Sequence, residues 1–346
     1  RSYLQEDLTA LFLQAAQLDK TALPEAWSMV PCHPWQARYL LKLASVQAAL
    51  SQGKLKDMGC RGLAFKPTSS IRTLYHPDFP FFVKGSLNVR ITNCIRKNAC
   101  YELESAVEMS HLLAPCFSAL SAGFEGFDVL PEPAFVSLDF PHLADQDRKV
   151  VQEGFGVILR AGLQTIMKPG EQAILAGALF TQGADGAPNI NELLWQYSRD
   201  QRISMEQARL DWFESYVQAL LPPVLHALFE YGVVFEPHLQ NVLIKLVAGK
   251  VTGVVIRDLE GTKLNPDLWP REQLSRMSEG VANSVYYTPD KAWRRIAYCL
   301  LINNLCQAIF CIGQGNAIVE ARLWYIVREQ LALYQLEWGN EQARLR

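Results

Sequence analysis

Arg72, in the string Ser70-Ile71-Arg72-Thr73, is followed twelve residues later by Lys84 and twelve further on by Arg96. Far downstream, Glu236-Pro237-His238-Leu239-Gln240-Asn241 precedes Arg257-Asp258-Leu259-Glu260. The first block offers cations and hydroxyls, the groups a polyphosphate requires. The second offers carboxylates, an imidazole and amides, the groups a metal-bound reacting anion requires. Together they point to an enzyme that brings a nucleotide and a second anion together.

These residues need elements to hold them. Residues 3–18 and 35–52 read as amphipathic helices, the second entered by Pro34 and ended by Gly53. Short β segments are expected at 63–66, 71–75 and 81–92, and helical periodicity returns over 96–113. A Pro/Gly-rich, mainly extended stretch runs to Arg160, and small residues fill 165–190, so a domain boundary is expected within 140–190. Residues 191–231 read as helical with a break or kink at Pro222-Pro223. A β-hairpin over 233–246 and 250–259 turns at Ala248-Gly249, and long helices over 289–312 and 318–338 close the chain. The expected class is α+β, with an α+β domain at 1–140 and a mainly helical domain carrying the hairpin at 141–346.

Lys84, Ser86, Asn88, Arg90 and Thr92 alternate with Gly85, Leu87, Val89 and Ile91. One strand would put the polar groups on one face, although a half-buried strand with a solvated face reads the same way. Six residues of strand span about 20 Å, so Lys84 and Arg90 cannot grip one phosphate unless the strand bends. Arg96 is expected in the first turn of a helix capped by Thr92 or Asn93, where an anion is favoured, so Lys84 and Arg96 suit different parts of a site. Glu236, His238 and Gln240 also alternate and would converge on one strand face. Asp258 and Glu260 answer them on the returning strand. The pair of carboxylate-bearing ends would suit Mg²⁺, with exposed hairpin charges as the alternative.

The chain of 346 residues is 49% hydrophobic and 20% charged, and 33 Lys and Arg against 35 Asp and Glu leave a net charge of −2. No basic excess recommends a nucleic-acid partner. Eight cysteines without a CxxC pair fit neither a zinc site nor a disulfide framework, which implies reduced thiols and a cytoplasmic protein. No apolar run of membrane-spanning length and no signal peptide is expected. The chain opens at Arg1, directly on a helical pattern, and reads as part of a longer protein.

The strings Pro67-Thr68-Ser69-Ser70-Ile71-Arg72-Thr73, Lys84-x-Ser86-Leu87-Asn88 running through Arg90-Ile91-Thr92-Asn93 to Arg96, and Glu236-x-His238-x-Gln240-Asn241 with Arg257-Asp258 resemble the NRPS-independent siderophore synthetases, the IucA/IucC-like family. The resemblance implies a cupped-hand fold of thumb, fingers and palm, with fingers at the start of this chain and palm after it. It implies a ligase that uses ATP and Mg²⁺ to adenylate a carboxylate of citrate or a related acid, releasing pyrophosphate. An amine, hydroxylamine or alcohol then attacks to give an amide or ester of a siderophore.

By the same resemblance Ser70, Arg72, Thr73 and Lys84 hold the ATP phosphates. Arg96, His238 and Thr92 lie near the α-phosphate and the citrate carboxylates. Gln240 and Asn241 surround the nucleotide, and Glu236 and Asp258 the metal. Arg160 falls in a matching Gly-x-x-x-Arg string.

Two family features are missing: an N-terminal His-Pro-x-His-Pro-x-x-Lys string and a basic tail after the last helix. An inactive fragment that binds citrate or ATP is therefore one alternative. A kinase-like phosphotransferase is another, since His238-Leu-Gln-Asn241 followed by Asp258 echoes a catalytic loop, although Gln240 stands where the catalytic Asp would be. Apolar faces on the last two helices would suit a homodimer, and neither nucleic acid nor membrane is an expected partner.

Overall fold

The computed structural model describes residues 1–91, 94–184 and 186–338. They form an α+β fold of two compact units with a discontinuous division. The first unit comprises Arg1–His111 and Pro131–Gln164, the second Leu112–Leu130 and Thr165–Arg346.

The first unit is built on a five-stranded antiparallel sheet. Its strands lie in the order Lys66–Pro67, Thr73–Tyr75, Phe81–Gly85, Val157–Ala161, Ala134–Val136. Phe81, Val83, Val157 and Leu159 point to one side, into a core with Leu11, Phe12 and Phe79. Ile158 points to the other and packs on Leu103 and Ala106 of the helix Cys100–Leu112. Both central strands are buried along their whole length. Lys84 and Arg160 are therefore carried into the interior, not onto a solvated face.

Several expected elements are shorter or divided. The first helix runs Leu8–Ala15, where the Asp7 carboxylate accepts from the Thr9 amide. The second divides into Pro34–Leu40 and Ala44–Ser51. The strand expected over 81–92 ends at Gly85, and Leu87–Ile91 pairs instead with Cys94–Arg96 in a separate hairpin. Ser86 makes the break: its hydroxyl donates to the Glu153 carbonyl at 2.6 Å and accepts from the Asn98 amide at 2.7 Å. Both bonds peel the chain away from the sheet.

The second unit holds a four-stranded sheet in the order Phe127–Val129, Lys250–Ile256, Val242–Val247, Gln172–Leu175. The first pairing is parallel and the other two are antiparallel. The hairpin turns at Ala248 and Gly249, with φ of 47° and 77°, the two positive values that a tight two-residue turn requires. Helix Met205–Phe229 packs on it, and helices Ile190–Gln201 and Ala317–Glu337 pack on that helix.

Of the break or kink expected at Pro222-Pro223, the break does not occur, because the helix Met205–Phe229 runs through both prolines. Leu220, Leu221, Val224 and Leu225 are buried around them, which offsets the proline cost of about 3 kcal/mol.

The helical stretch Pro289–Gly313 is long and apolar enough to cross a membrane, with a window of mean hydropathy 1.7, where the sequence reading anticipates no such run. Ile296, Leu300, Leu305, Ile309 and Ile312 are buried in the unit, as in a core helix. Its middle, Ala297–Cys306, is π-helical.

Candidate functional site

In the first unit, Ser70 and Thr73 close a tight turn, with the Thr73 amide donating to the Ser70 carbonyl at 2.8 Å. Thr73 then pairs with Lys84 across adjacent strands, so the two side chains leave the sheet on one face. Lys84 is 1% exposed. Arg72 donates through one terminal nitrogen to the Lys97 carbonyl at 3.0 Å and to Asn98 Oδ1 at 2.5 Å.

Asn98, wholly buried, also donates through Nδ2 to the carbonyls of Lys84 and Gly156, both at 2.9 Å. It thus ties the strand bearing Lys84 to the turn bearing Arg72. Nothing in the sequence singles it out, because an isolated Asn is ordinary.

Arg96 corrects an expectation. It ends the strand Cys94–Arg96 opposite Leu87, and the following helix begins only at Cys100. Arg96 is therefore not in the first helical turn, and its segment returns beside Ser86 and Lys84 through Asn98. Thr92 lies outside the described residues. Arg160 lies in a buried ion pair: its guanidinium donates to Glu132 Oε1 at 3.0 and 2.7 Å.

In the second unit, residues 236–241 form a turn, not the alternating strand that the spacing suggests. The His238 amide donates to the Glu236 carbonyl at 2.8 Å, and the Asn241 amide to the His238 carbonyl at 2.9 Å. This turn and Arg257–Glu260 still lie at the same end of the hairpin, since Val242 pairs with Ile256. Arg257 fastens the two, donating through Nε and a terminal nitrogen to the Gln240 carbonyl at 3.1 and 2.9 Å. Asn241 is buried and the Gln240 side chain is exposed. Asp258 follows with φ of 73°, a left-handed conformation uncommon for Asp.

Burial holds the His238 imidazole below its ordinary value, against the opposing pull of Glu236 and Asp258. A neutral imidazole that feels the charge of two carboxylates is equipped to accept a proton. Glu236 Oε1 lies 2.9 Å from Arg295, whose other terminal nitrogen donates to Tyr287 Oη at 2.8 Å. The Glu236 carboxylate also lies flat on Gly261, where a Cβ would stand 2.3 Å from Oε2.

Lys263 and Lys291 join Arg295 around the Tyr287 ring, at 5.9, 4.1 and 5.7 Å from its centroid. Sequence reasoning missed these cations because they are scattered over thirty-odd positions without a motif. Among the described residues no group of three or more His, Cys, Asp or Glu is placed to hold a metal. Glu236 would have to release Arg295 to take a cation.

A family model described as the IucA / IucC family matches residues 2–181. The chain belongs to the IucA/IucC family. A second model, described as a ferric iron reductase FhuF-like transporter, matches residues 210–346.

Curated relatives include the N(2)-citryl-N(6)-acetyl-N(6)-hydroxylysine synthase of Vibrio mimicus, 28% identical over 316 residues, 90% of this chain and 51% of the relative. The spermidine-citrate ligase of Bacillus anthracis is 28% identical over 324 residues, 92% of this chain and 50% of the relative. The chain thus spans about half the length of these family members. Its fold matches the ATP-bound aerobactin synthetase IucA of Klebsiella pneumoniae with a TM-score of 0.88 and 25% identity. That match covers 99% of this chain and 61% of the synthetase.

Proposed function

We propose that this chain is the greater part of the adenylating machinery of an ATP-dependent siderophore synthetase. It would activate a carboxylate of citrate or a related acid and join it to an amine, hydroxylamine or alcohol. The observation that carries this reading is the match of 99% of the chain to an ATP-bound synthetase of the same family, whose curated members include citrate ligases.

In the first step a citrate carboxylate oxygen attacks the α-phosphorus of ATP, and the bond to the leaving pyrophosphate breaks. Lys84, Arg72, Ser70 and Thr73 hold the phosphates, and Arg96 with Thr92 offsets charge where two anions approach. Gln240 and Asn241 border the nucleotide. Asp258, with Glu236 if it leaves Arg295, would hold Mg²⁺, whose charge would favour departure of the pyrophosphate. In the second step the nucleophile attacks the acyl carbon, the bond to AMP breaks, and neutral His238 accepts the nucleophile's proton.

The reading also places the protein in the cytoplasm. It assigns the exposed Tyr298, Ile302, Phe310 and Leu336 to a homodimer contact. The product of ATP turnover tests the main claim. Incubation of the full-length protein with ATP, citrate and hydroxylamine should release AMP and pyrophosphate. ADP would favour the kinase-like alternative, and no nucleotide turnover would favour a binding fragment. Arg96→Ala and His238→Ala should each lower the rate about 10²–10³-fold.

A further inference from the structure

Two adjacent asparagines interrupt the apolar run Cys299-Leu300-Leu301-Ile302-Asn303-Asn304-Leu305. They lie in the π-helical segment Ala297–Cys306. Such a segment widens the turn by one residue and changes the direction in which successive side chains leave the axis.

Asn304 is wholly buried and hydrogen-bonded through both ends of its amide. Its Nδ2 donates to the Pro237 carbonyl at 2.9 Å, and its Oδ1 accepts from Tyr216 Oη at 2.7 Å. Asn303 Oδ1 accepts from the Leu239 amide at 3.3 Å. Tyr216 is itself fixed among Trp212 and Phe180.

The two amides therefore grip the backbone on either side of His238. Pro237 contributes a carbonyl and no donor, and Leu239 contributes a donor, so each asparagine presents the complementary group. Asn303 is exposed, but an apolar helix face has no need of a wholly buried Asn304 at a π-helical turn. A turn that must hold an imidazole in one place does.

We infer that Asn304, supported by Asn303, is a positioning residue for His238. The π-helical turn is the device that aims both amides at the Pro237–Leu239 backbone. The kinetic part of its test rests on the ligase reading, while the exchange part does not.

The experiment compares Asn304→Leu, Asn304→Leu/Tyr216→Phe and Asn303→Ala in the full-length protein. It uses amide hydrogen exchange, urea unfolding and steady-state pyrophosphate release. Asn304→Leu should raise exchange at Leu239 and Asn241 by about 5- to 10-fold, the loss of roughly one hydrogen bond. It should lower kcat about 10- to 100-fold and leave the KM for ATP within about twofold, because a misplaced group spoils the reacting geometry more than ground-state binding.

The double variant should recover part of the lost stability, since the Tyr216 hydroxyl is no longer left buried and unpaired. It should recover neither the exchange protection nor kcat. Asn303→Ala should give a weaker form of the same pattern and covers the case in which Asn304→Leu does not fold. Recovery of kcat together with stability in the double variant would reduce Asn304 to a packing role and overturn the inference. Unchanged exchange at Leu239 and Asn241 in all three variants would do the same. A wild-type protein without pyrophosphate release but with the expected exchange changes would refute the ligase reading and leave the positioning role standing.

Discussion

Asn98→Leu isolates the tie that joins Arg72 to Lys84. Leu matches Asn in size, so no cavity is created, and the Asn98 amide can keep its 2.7 Å bond to Ser86 Oγ. Three side-chain bonds are lost: two donations at 2.9 Å to the carbonyls of Lys84 and Gly156, and the 2.5 Å acceptance from Arg72. The carbonyl bonds contribute about 1 kcal/mol each and the charge-assisted bond about 1.5–3, together about 3.5–5 kcal/mol. That is a large part of the roughly 5–15 kcal/mol that holds a domain folded.

The loss should concentrate on the strand Phe81–Gly85, so the assay is amide hydrogen exchange resolved to that strand. At 1.4 kcal/mol per factor of ten, its amides should exchange about 10³-fold faster than in the wild type. Acceleration below about tenfold would mean that the strand and the turn hold each other without Asn98, and the reasoning would be wrong.

Arg160→Met leaves Glu132 charged and buried, and should cost about 3–5 kcal/mol in urea unfolding, whereas adding Glu132→Leu should return most of it. Equal losses in the single and double variants would contradict the ion-pair account. Gly261→Ala places a methyl group within 2.3 Å of Glu236 Oε2, the mobile end of a side chain. The fold should lose less than about 1 kcal/mol while Glu236 parts from Arg295. A crystal structure of the variant with that contact intact would refute this.

His238 is held by burial below its ordinary value near 6.5. The unfolded chain therefore takes up the proton first on acidification. The stability that neutral His238 contributes is complete above about pH 6.5 and is lost as pH falls through the folded value. Burial shifts His33 and His226 the same way. His238→Gln should flatten part of the fall in melting temperature between about pH 7 and 5, and an unchanged slope would remove His238 from that account.

The parts of the fold legible in the sequence are those decided by neighbouring residues. Ala248-Gly249 sets its own turn, Pro34 and Pro289 open their helices, and the helix Ala317–Glu337 follows from periodicity. The strand break at Ser86 was not legible, because it depends on Glu153, 67 residues away, and on the Asn98 amide. Period-two spacing in 236–241 imitates a strand, but bonds from Arg257 and Asn304 hold it as a turn. Within the candidate site, residues in contiguous strings could be named from the sequence. Asn98, Arg295 and Asn304 could not, since each acts through partners distant along the chain.

The central claim is that a carboxylate of the acid becomes bonded to AMP. The most direct measurement follows heavy oxygen from labelled citrate through turnover with ATP and an amine. When the amine displaces AMP from the acyl carbon, one carboxylate oxygen stays on phosphorus, so the account predicts AMP carrying one heavy oxygen. Heavy oxygen in inorganic phosphate with ADP as the nucleotide product, or AMP formed without the label, would contradict it.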